Sequence, residues 1–155
     1  MPDDLIGWLT LLALLGSGLI AGVFLAFSSF VMGALGRLPA EQGAAAMQHI
    51  NVVVINPWFL GPFMGTAALS VGLVVVGLIP KADPWLVAGG LLYAVGTFGV
   101  TVVGNIPLNN ALAEIEPDSE GGKALWLRYQ RTWTRWNHVR TVAGLLACAA
   151  FAVSL

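Results

Sequence analysis

Trp133-Thr-Arg-Trp-Asn-His-Val-Arg140, followed by the fifteen uncharged residues 141–155, decides the fold. Fifteen residues make about 22 Å of helix at about 1.5 Å each. A hydrocarbon core of about 30 Å asks for about 20 residues. If this stretch crosses a bilayer, its helix starts near Trp136, and Asn137, His138 and Arg140 lie at or just inside the membrane boundary. Polar groups at that depth are costly, charged ones more so, and they face protein or a wet cavity. The stretch reads as one wall of a polar site.

Composition agrees. The 155 residues are 57% hydrophobic and only 10% charged, against about 25% charged in a soluble domain. The chain therefore reads as an integral membrane protein. A net charge of −1 argues against nucleic acid as a partner class, because phosphate binding needs a basic surface. Cys148 is the one cysteine, which excludes an internal disulfide and a cysteine metal cluster. Its neighbours Ala147 and Ala149 mark it as a packing residue. The N-terminal flank Met-Pro-Asp-Asp is acidic, and the uncharged run behind it is too long for a signal peptide, so a retained first span is expected.

Uncharged stretches cover residues 5–36, 50–80, 84–113 and 141–155. They lack the two-residue alternation of barrel strands, which leaves helices as the way across lipid. The expected architecture is all-α: one transmembrane domain, 1–155, folded as a four-helix bundle. Its helices fall at about 5–36, 56–79, 84–112 and 126–154, with an amphipathic connector at 40–51. Asn56-Pro57 and Asp83-Pro84 each place a capping side chain before a proline at the first helical position. Residues 81–83 form a very short loop, and the acidic, Gly-containing 115–123 reads as a flexible one. Gly18 and Gly22, and Gly61 and Gly65, have the spacing that lets helices approach closely in lipid. Gly89, Gly90, Gly96, Gly99 and Gly144 add to that pattern. Lys81 is the one basic residue on the side of the two termini, whereas Arg37, Lys123, Arg128, Arg131, Arg135 and Arg140 lie on the other. The basic side is expected in the cytoplasm and the termini outside, in a bacterial plasma membrane.

Polar side chains gather at the basic end of every span. Ser28 and Ser29 close the first. Gln48, His49, Asn51 and Asn56 lead into the second. Asn105 and Asn109 flank Pro107 in the third, and Trp133, Trp136, Asn137, His138 and Arg140 open the fourth. Such convergence is the usual signature of a binding or active site. Simpler roles stand beside it. Asn56 serves as a cap. Asn105 and Asn109 satisfy the backbone that Pro107 interrupts. The tryptophans form an interfacial belt, and Arg128, Arg131 and Arg135 form one stripe facing headgroups. At about 100° per residue, Trp133, Trp136, Asn137 and Arg140 share one arc, whereas His138 faces the opposite side with Arg131 and Arg135. No acidic residue occurs in the spans. Arg140 must therefore find amide oxygens, carbonyls freed near Pro107, water or an anionic ligand.

The motifs Gly22-Val-Phe-Leu-Ala-Phe-Ser-Ser-Phe-Val-Met, Met47-Gln-His-Ile-Asn51, Asn56-Pro57, Asn105-Ile-Pro-Leu-Asn109 and Trp133-Thr-Arg-Trp-Asn-His-Val-Arg140 resemble the anthrone oxygenase-like family. These are small four-helix membrane proteins. The likeness covers nearly the whole chain and keeps motif order. Fungal polyketide members oxidise an anthrone to an anthraquinone and are thought to use oxygen directly, without a bound organic cofactor. The resemblance implies such a monooxygenase here, with Gln48, Asn51, Asn56, Asn105, Asn109, Trp136, Asn137, His138 and Arg140 at family positions.

The chemistry is coherent. An anthrone CH₂ is acidic because its carbanion is an aromatic phenolate, and that carbanion reacts with oxygen. The protein must supply a weak base, donors for the oxyanion and an apolar slot. His138 or His49 is the candidate base. Arg140, Asn137 and the other asparagine amides are candidate donors, and Phe27, Phe30, Phe59, Trp133 and Trp136 candidate walls, with Ser28 and Gln48 as further substrate-binding candidates. Two alternatives stay open. One is a redox protein whose His49 and His138 ligate haem or a metal. The other is a carrier or sensor of a small lipophile. The expected partners are membrane lipid and a small lipophilic ligand, with homo-oligomerisation open.

Overall fold

The computed structural model describes residues 5–78 and 83–155. The expected 81–83 loop and the end of the second helix at 79 lie largely outside the described residues. Five continuous helices account for the rest: α1 (Leu5–Leu35), α2 (Ala40–Val53), α3 (Pro57–Gly77), α4 (Pro84–Ala113) and α5 (Glu120–Ser154).

The starts follow local chemistry. Asn56 takes an extended backbone and its Oδ1 accepts from Trp58 N at 3.0 Å and Phe59 N at 3.1 Å, with Pro57 next. Asp83 does the same for α4, accepting from Trp85 N at 2.8 Å before Pro84. Both satisfy donors that a helix start leaves free.

The α5 start corrects the expected 126. Ser119 Oγ accepts from Gly122 N at 2.9 Å, and Glu120 sits in the first turn, where the helix dipole favours a negative charge. The stretch expected as a flexible loop therefore contributes a helical turn. A side chain at Gly122 would overlap the Glu116 carbonyl, so this turn closes only on glycine.

Two helices are not uniform. Phe27–Val31 in α1, and Leu92–Gly99 and Thr101–Asn105 in α4, run as π-helix. The last of these ends immediately before Ile106-Pro107, so Pro107 enters at the start of a fresh α turn instead of breaking a regular ladder.

α1 packs on α3 and α5, and α4 closes the ring between α3 and α5. α2 lies across the basic end, against α5 and the last turns of α4. Gln48 fastens it there: its Nε2 donates to Leu112 O at 2.7 Å and Ile115 O at 3.0 Å, carbonyls left over as α4 ends.

The pattern of burial is inverted relative to a soluble protein. Leu15, Leu19, Val75, Val95 and Val103 are exposed, whereas Thr10, Ser17, Thr66, Ser70, Thr97, Thr101, Asn105, Asn137 and Arg140 are buried. α1, α3 and α4 are each long and apolar enough to cross a membrane. Outward aliphatic side chains suit a hydrocarbon solvent, and several inward hydroxyls donate to backbone carbonyls, as Thr10 Oγ1 does to Ile6 O at 2.8 Å and Thr97 Oγ1 to Arg140 O at 3.3 Å.

Close packing uses some of the glycines that the spacing selected, Gly18, Gly90, Gly96 and Gly144 among them, and not others. Nothing approaches Gly22, Gly61 or Gly65. A side chain at Gly16 would overlap the Thr66 hydroxyl, and a Cβ at Gly96 would come within 2.6 Å of the Ala143 Cβ. Two apolar clusters result. One contains Ile20, Phe24, Phe63, Tyr93 and Phe151; the other, at the basic end, contains Met32, Met47, Leu112, Trp126, Tyr129 and Trp133. The polar residues of interest lie where these clusters meet.

Candidate functional site

Arg140 is 5% exposed. Its Nε and Nη2 donate to Asn137 Oδ1 at 2.9 and 2.7 Å, and its Nη1 donates to Thr101 Oγ1 at 3.2 Å. Its Cζ lies 3.7 Å from the centroid of Phe24 and 4.9 Å from that of Trp133. The cation is thus held by an amide oxygen, a hydroxyl and two ring faces. The carbonyls near Pro107 are not among its acceptors. Among the described residues the ion pair is Lys123–Glu120 at 3.0 Å, so no carboxylate neutralises Arg140.

Asn137 is fully buried and works in both directions. Its Nδ2 donates to Phe24 O at 2.7 Å and to Ser28 Oγ at 2.7 Å. Ser28 sits in the π segment of α1. Its Oγ also lies 2.9 Å from His138 Nδ1 and 3.3 Å from Thr141 Oγ1. One hydroxyl therefore joins the buried guanidinium, through Asn137, to His138 at the surface. Thr141 spends its proton on Asn137 O at 2.7 Å, so towards Ser28 it can only accept. Ser28 Oγ accepts from Asn137 and has one proton to give, either to His138 Nδ1 or to Thr141. In the second arrangement His138 Nδ1–H donates to Ser28 and leaves a free lone pair on Nε2.

A second polar group is built on α4. Asn109 Oδ1 accepts from Tyr129 OH and Trp133 Nε1, both at 2.8 Å. Asn105 Nδ2 donates to Trp133 O at 3.2 Å, while its Oδ1 is buried without a partner. Asn51, from α2, likewise has a buried Nδ2 without a partner. Phe27 packs on Trp133 with centroids 5.6 Å apart. Trp136 lies across Gly104 and is 39% exposed.

The expected site thus divides. Asn137, Arg140, Asn105, Asn109, Asn51, Trp133 and Phe27 gather inside the bundle. Asn56 does not join them; it caps α3 and borders a groove of about 260 Å3 with Leu19, Ile20, Val23, Trp58 and Phe59. Gln48 holds α2 in place, and His49 is exposed on that helix. Phe30 is 64% exposed and faces away from the interior. Among the described residues no three His, Cys, Asp or Glu side chains are placed to hold a metal ion.

His138 opens outward, as the helical projection required. It lines a groove of about 450 Å3 between α1 and α5, with Ser28, Ser29, Met32, Gly33 and Gly36 on one wall and Gln130, Arg131, Thr134 and Arg135 on the other. That volume lies within the range of about 300–1,000 Å3 usual for small-molecule sites. Arg131 and Arg135 belong to this groove, a role the headgroup reading had hidden. The spacing of Arg131, Arg135 and His138 at four and then three residues was the available signal. Thr97, Thr101 and Tyr129 were missed, because hydroxyls in apolar spans carry no distinguishing pattern.

Fold and site define a class: an all-helical membrane protein that encloses an arginine without a carboxylate and links it by hydrogen bonds to a histidine in a basic groove. Within that class the chain belongs to the anthrone oxygenase family, whose sequence profile it matches over residues 53–150. The match includes Asn56, Asn105, Asn109, Trp133, Trp136, Asn137, His138 and Arg140; Phe27, Ser28, Gln48, His49 and Asn51 precede it. No curated protein and no solved structure matches the chain.

Proposed function

We propose that this protein oxygenates a lipophilic, enolisable aromatic of the anthrone type in the groove between α1 and α5, using oxygen without a bound organic cofactor. The observation that carries this reading is the hydrogen-bonded run Arg140–Asn137–Ser28–His138, which ends in that groove. His138 Nε2, the ring nitrogen left free when Nδ1–H donates to Ser28, takes a proton from the substrate CH₂. The imidazolium keeps the same Nδ1–H donation, so the proton arrives without rearrangement of the network. Arg135, three residues before His138, stabilises the oxyanion of the resulting carbanion. The carbanion gives its electrons to oxygen. Overall the CH₂ becomes a carbonyl, and one oxygen molecule yields the carbonyl oxygen and one water. Arg140 and Asn137 act from inside the bundle by orienting Ser28, and so are positioning residues in this scheme.

The long α5 serves as the fourth crossing, because its buried face from Asn137 to Phe151 is enclosed by α1 and α4. The six-to-one Lys/Arg asymmetry supports a cytoplasmic side for the groove.

The test is oxygen uptake by purified protein in nanodiscs with a 9(10H)-anthrone, alongside quinone absorbance. One oxygen consumed per quinone formed, and loss of the protein-dependent rate in His138→Gln, are expected. A rate no faster than spontaneous oxidation, with the anthrone shown to bind, would leave a lipophile carrier as the better description.

A further inference from the structure

Three residues of α5 enter the groove from one helix face: Arg131, Arg135 and His138. At about 1.5 Å per residue, Arg135 is about one turn from His138, and Arg131 about two turns, or roughly 10 Å. No acidic residue lines this groove. Arg128 shares the basic stripe, yet it does not line the groove. A stripe that met only lipid headgroups would use all three arginines alike, whereas the concave surface singles out two. The opposite wall carries Gly33, which puts no side chain in front of the arginines, whereas Gly36 faces the Gln130 side chain. Beside Gly33 a Cβ would meet nothing within 4 Å.

We infer that the groove selects a substrate with an ionised acidic group, a carboxylate for example, remote from its reactive carbon, and that Arg131 is the residue that reads it. The inference rests on the oxygenation reading for the position of the reactive carbon, beside His138. A second anion two turns away then faces the Arg131 guanidinium, which offers a forked pair of donors. The spacing of roughly 10 Å along the helix leaves room for a hydrogen bond at each end of such a substrate and for the part of the ring system between them. It also suits an amphiphile: Arg131 lies toward the start of α5, at the basic end, and the rings lie deeper, against Met32. Arg131 is thus a specificity residue, distinct in role from His138 and Arg135.

The experiment uses two unreactive, product-like probes, anthraquinone and anthraquinone-2-carboxylate, with the full chain in phosphatidylcholine nanodiscs. Binding is read by equilibrium dialysis. The carboxylate should bind about tenfold or more tightly than the neutral probe, the value of one charge-assisted contact. Arg131→Gln should erase that difference and leave the neutral probe unchanged, and Arg128→Gln should alter neither. Equal binding of the two probes overturns the inference, as does an Arg128→Gln effect equal to that of Arg131→Gln. Displacement of the carboxylate probe by phosphatidylglycerol in the nanodisc, to the same extent in wild type and Arg131→Gln, also overturns it and assigns the stripe to lipid headgroups. Oxygenation is read separately by oxygen uptake, so selective binding without turnover would sink the oxygenase reading alone.

Discussion

Asn137→Leu should destabilise the protein severely, and Arg140→Met should rescue it. Asn137 Oδ1 accepts two of the three hydrogen bonds made by the Arg140 guanidinium. Leucine is close in shape to asparagine, so the substitution removes bonding with little cavity. Hydrogen bonds to charged groups contribute about 1.5–3 kcal/mol each. What remains for Arg140 is Thr101 Oγ1 and the faces of Phe24 and Trp133, and removing one partner of a buried charge costs about 3–5 kcal/mol. Asn137→Leu should therefore cost about 3–5 kcal/mol. Replacing the cation as well, by methionine of similar length, removes the need for an acceptor. The double variant should recover much of the loss, giving a coupling energy of about 2–3 kcal/mol. Reversible unfolding by SDS in mixed micelles, followed by tryptophan fluorescence, measures all four corners of this cycle. Additive effects within about 0.5 kcal/mol would refute the claim that Asn137 holds the charge.

Ser28→Ala removes the hydroxyl between Asn137 and His138; with the fold intact, the pH profile of anthrone turnover should move while probe affinity stays within about twofold, and an unchanged profile would show that His138 is not held through Ser28. Gly16→Val should weaken the α1–α3 contact by about 1–3 kcal/mol through overlap with Thr66, whereas Gly61→Val and Gly65→Val, facing open space, should be neutral in the same unfolding assay. A cysteine introduced at Ser119 in a Cys148→Ala background should resist impermeant maleimide in intact cells and react after permeabilisation; labelling from outside would invert the proposed orientation.

The elements were legible because the bilayer sets their length. Uncharged runs, with Asn56-Pro57 and Asp83-Pro84 as starts, gave α1, α3 and α4 to within about two residues, the usual uncertainty of helix ends. Arg140 was legible from depth: a cation inside an apolar helix needs protein acceptors wherever they come from. Its link to the surface was not. Asn137 is one turn away in sequence and could be placed on the same face, but Ser28 lies over a hundred residues earlier, and its contact with His138 depends on how α1 is rotated about its own axis. Spacing motifs succeeded only in part for the same reason: Gly18 lies against Cys148. Gly61 and Gly65 satisfy the rule, yet α3 turns that face away from every neighbour.

The π segments explain why rotation was the hard quantity. Each residue inserted beyond the α repeat turns everything downstream by about 100°, enough to move a side chain from the core to lipid. A projection at 3.6 residues per turn is safe only where no such segment intervenes. α5 is regular throughout, and there the projection separated Arg140 from His138 as observed. In α4 the last π turn closes at Asn105, so the four-residue step to Asn109 runs through regular helix and both amides meet Trp133. Ser28 lies within a π turn of α1, where the same projection gives no dependable direction. The residue that links the buried arginine to the groove is therefore the one whose direction depended most on a departure from regular helix, and π turns are often retained where function needs that departure.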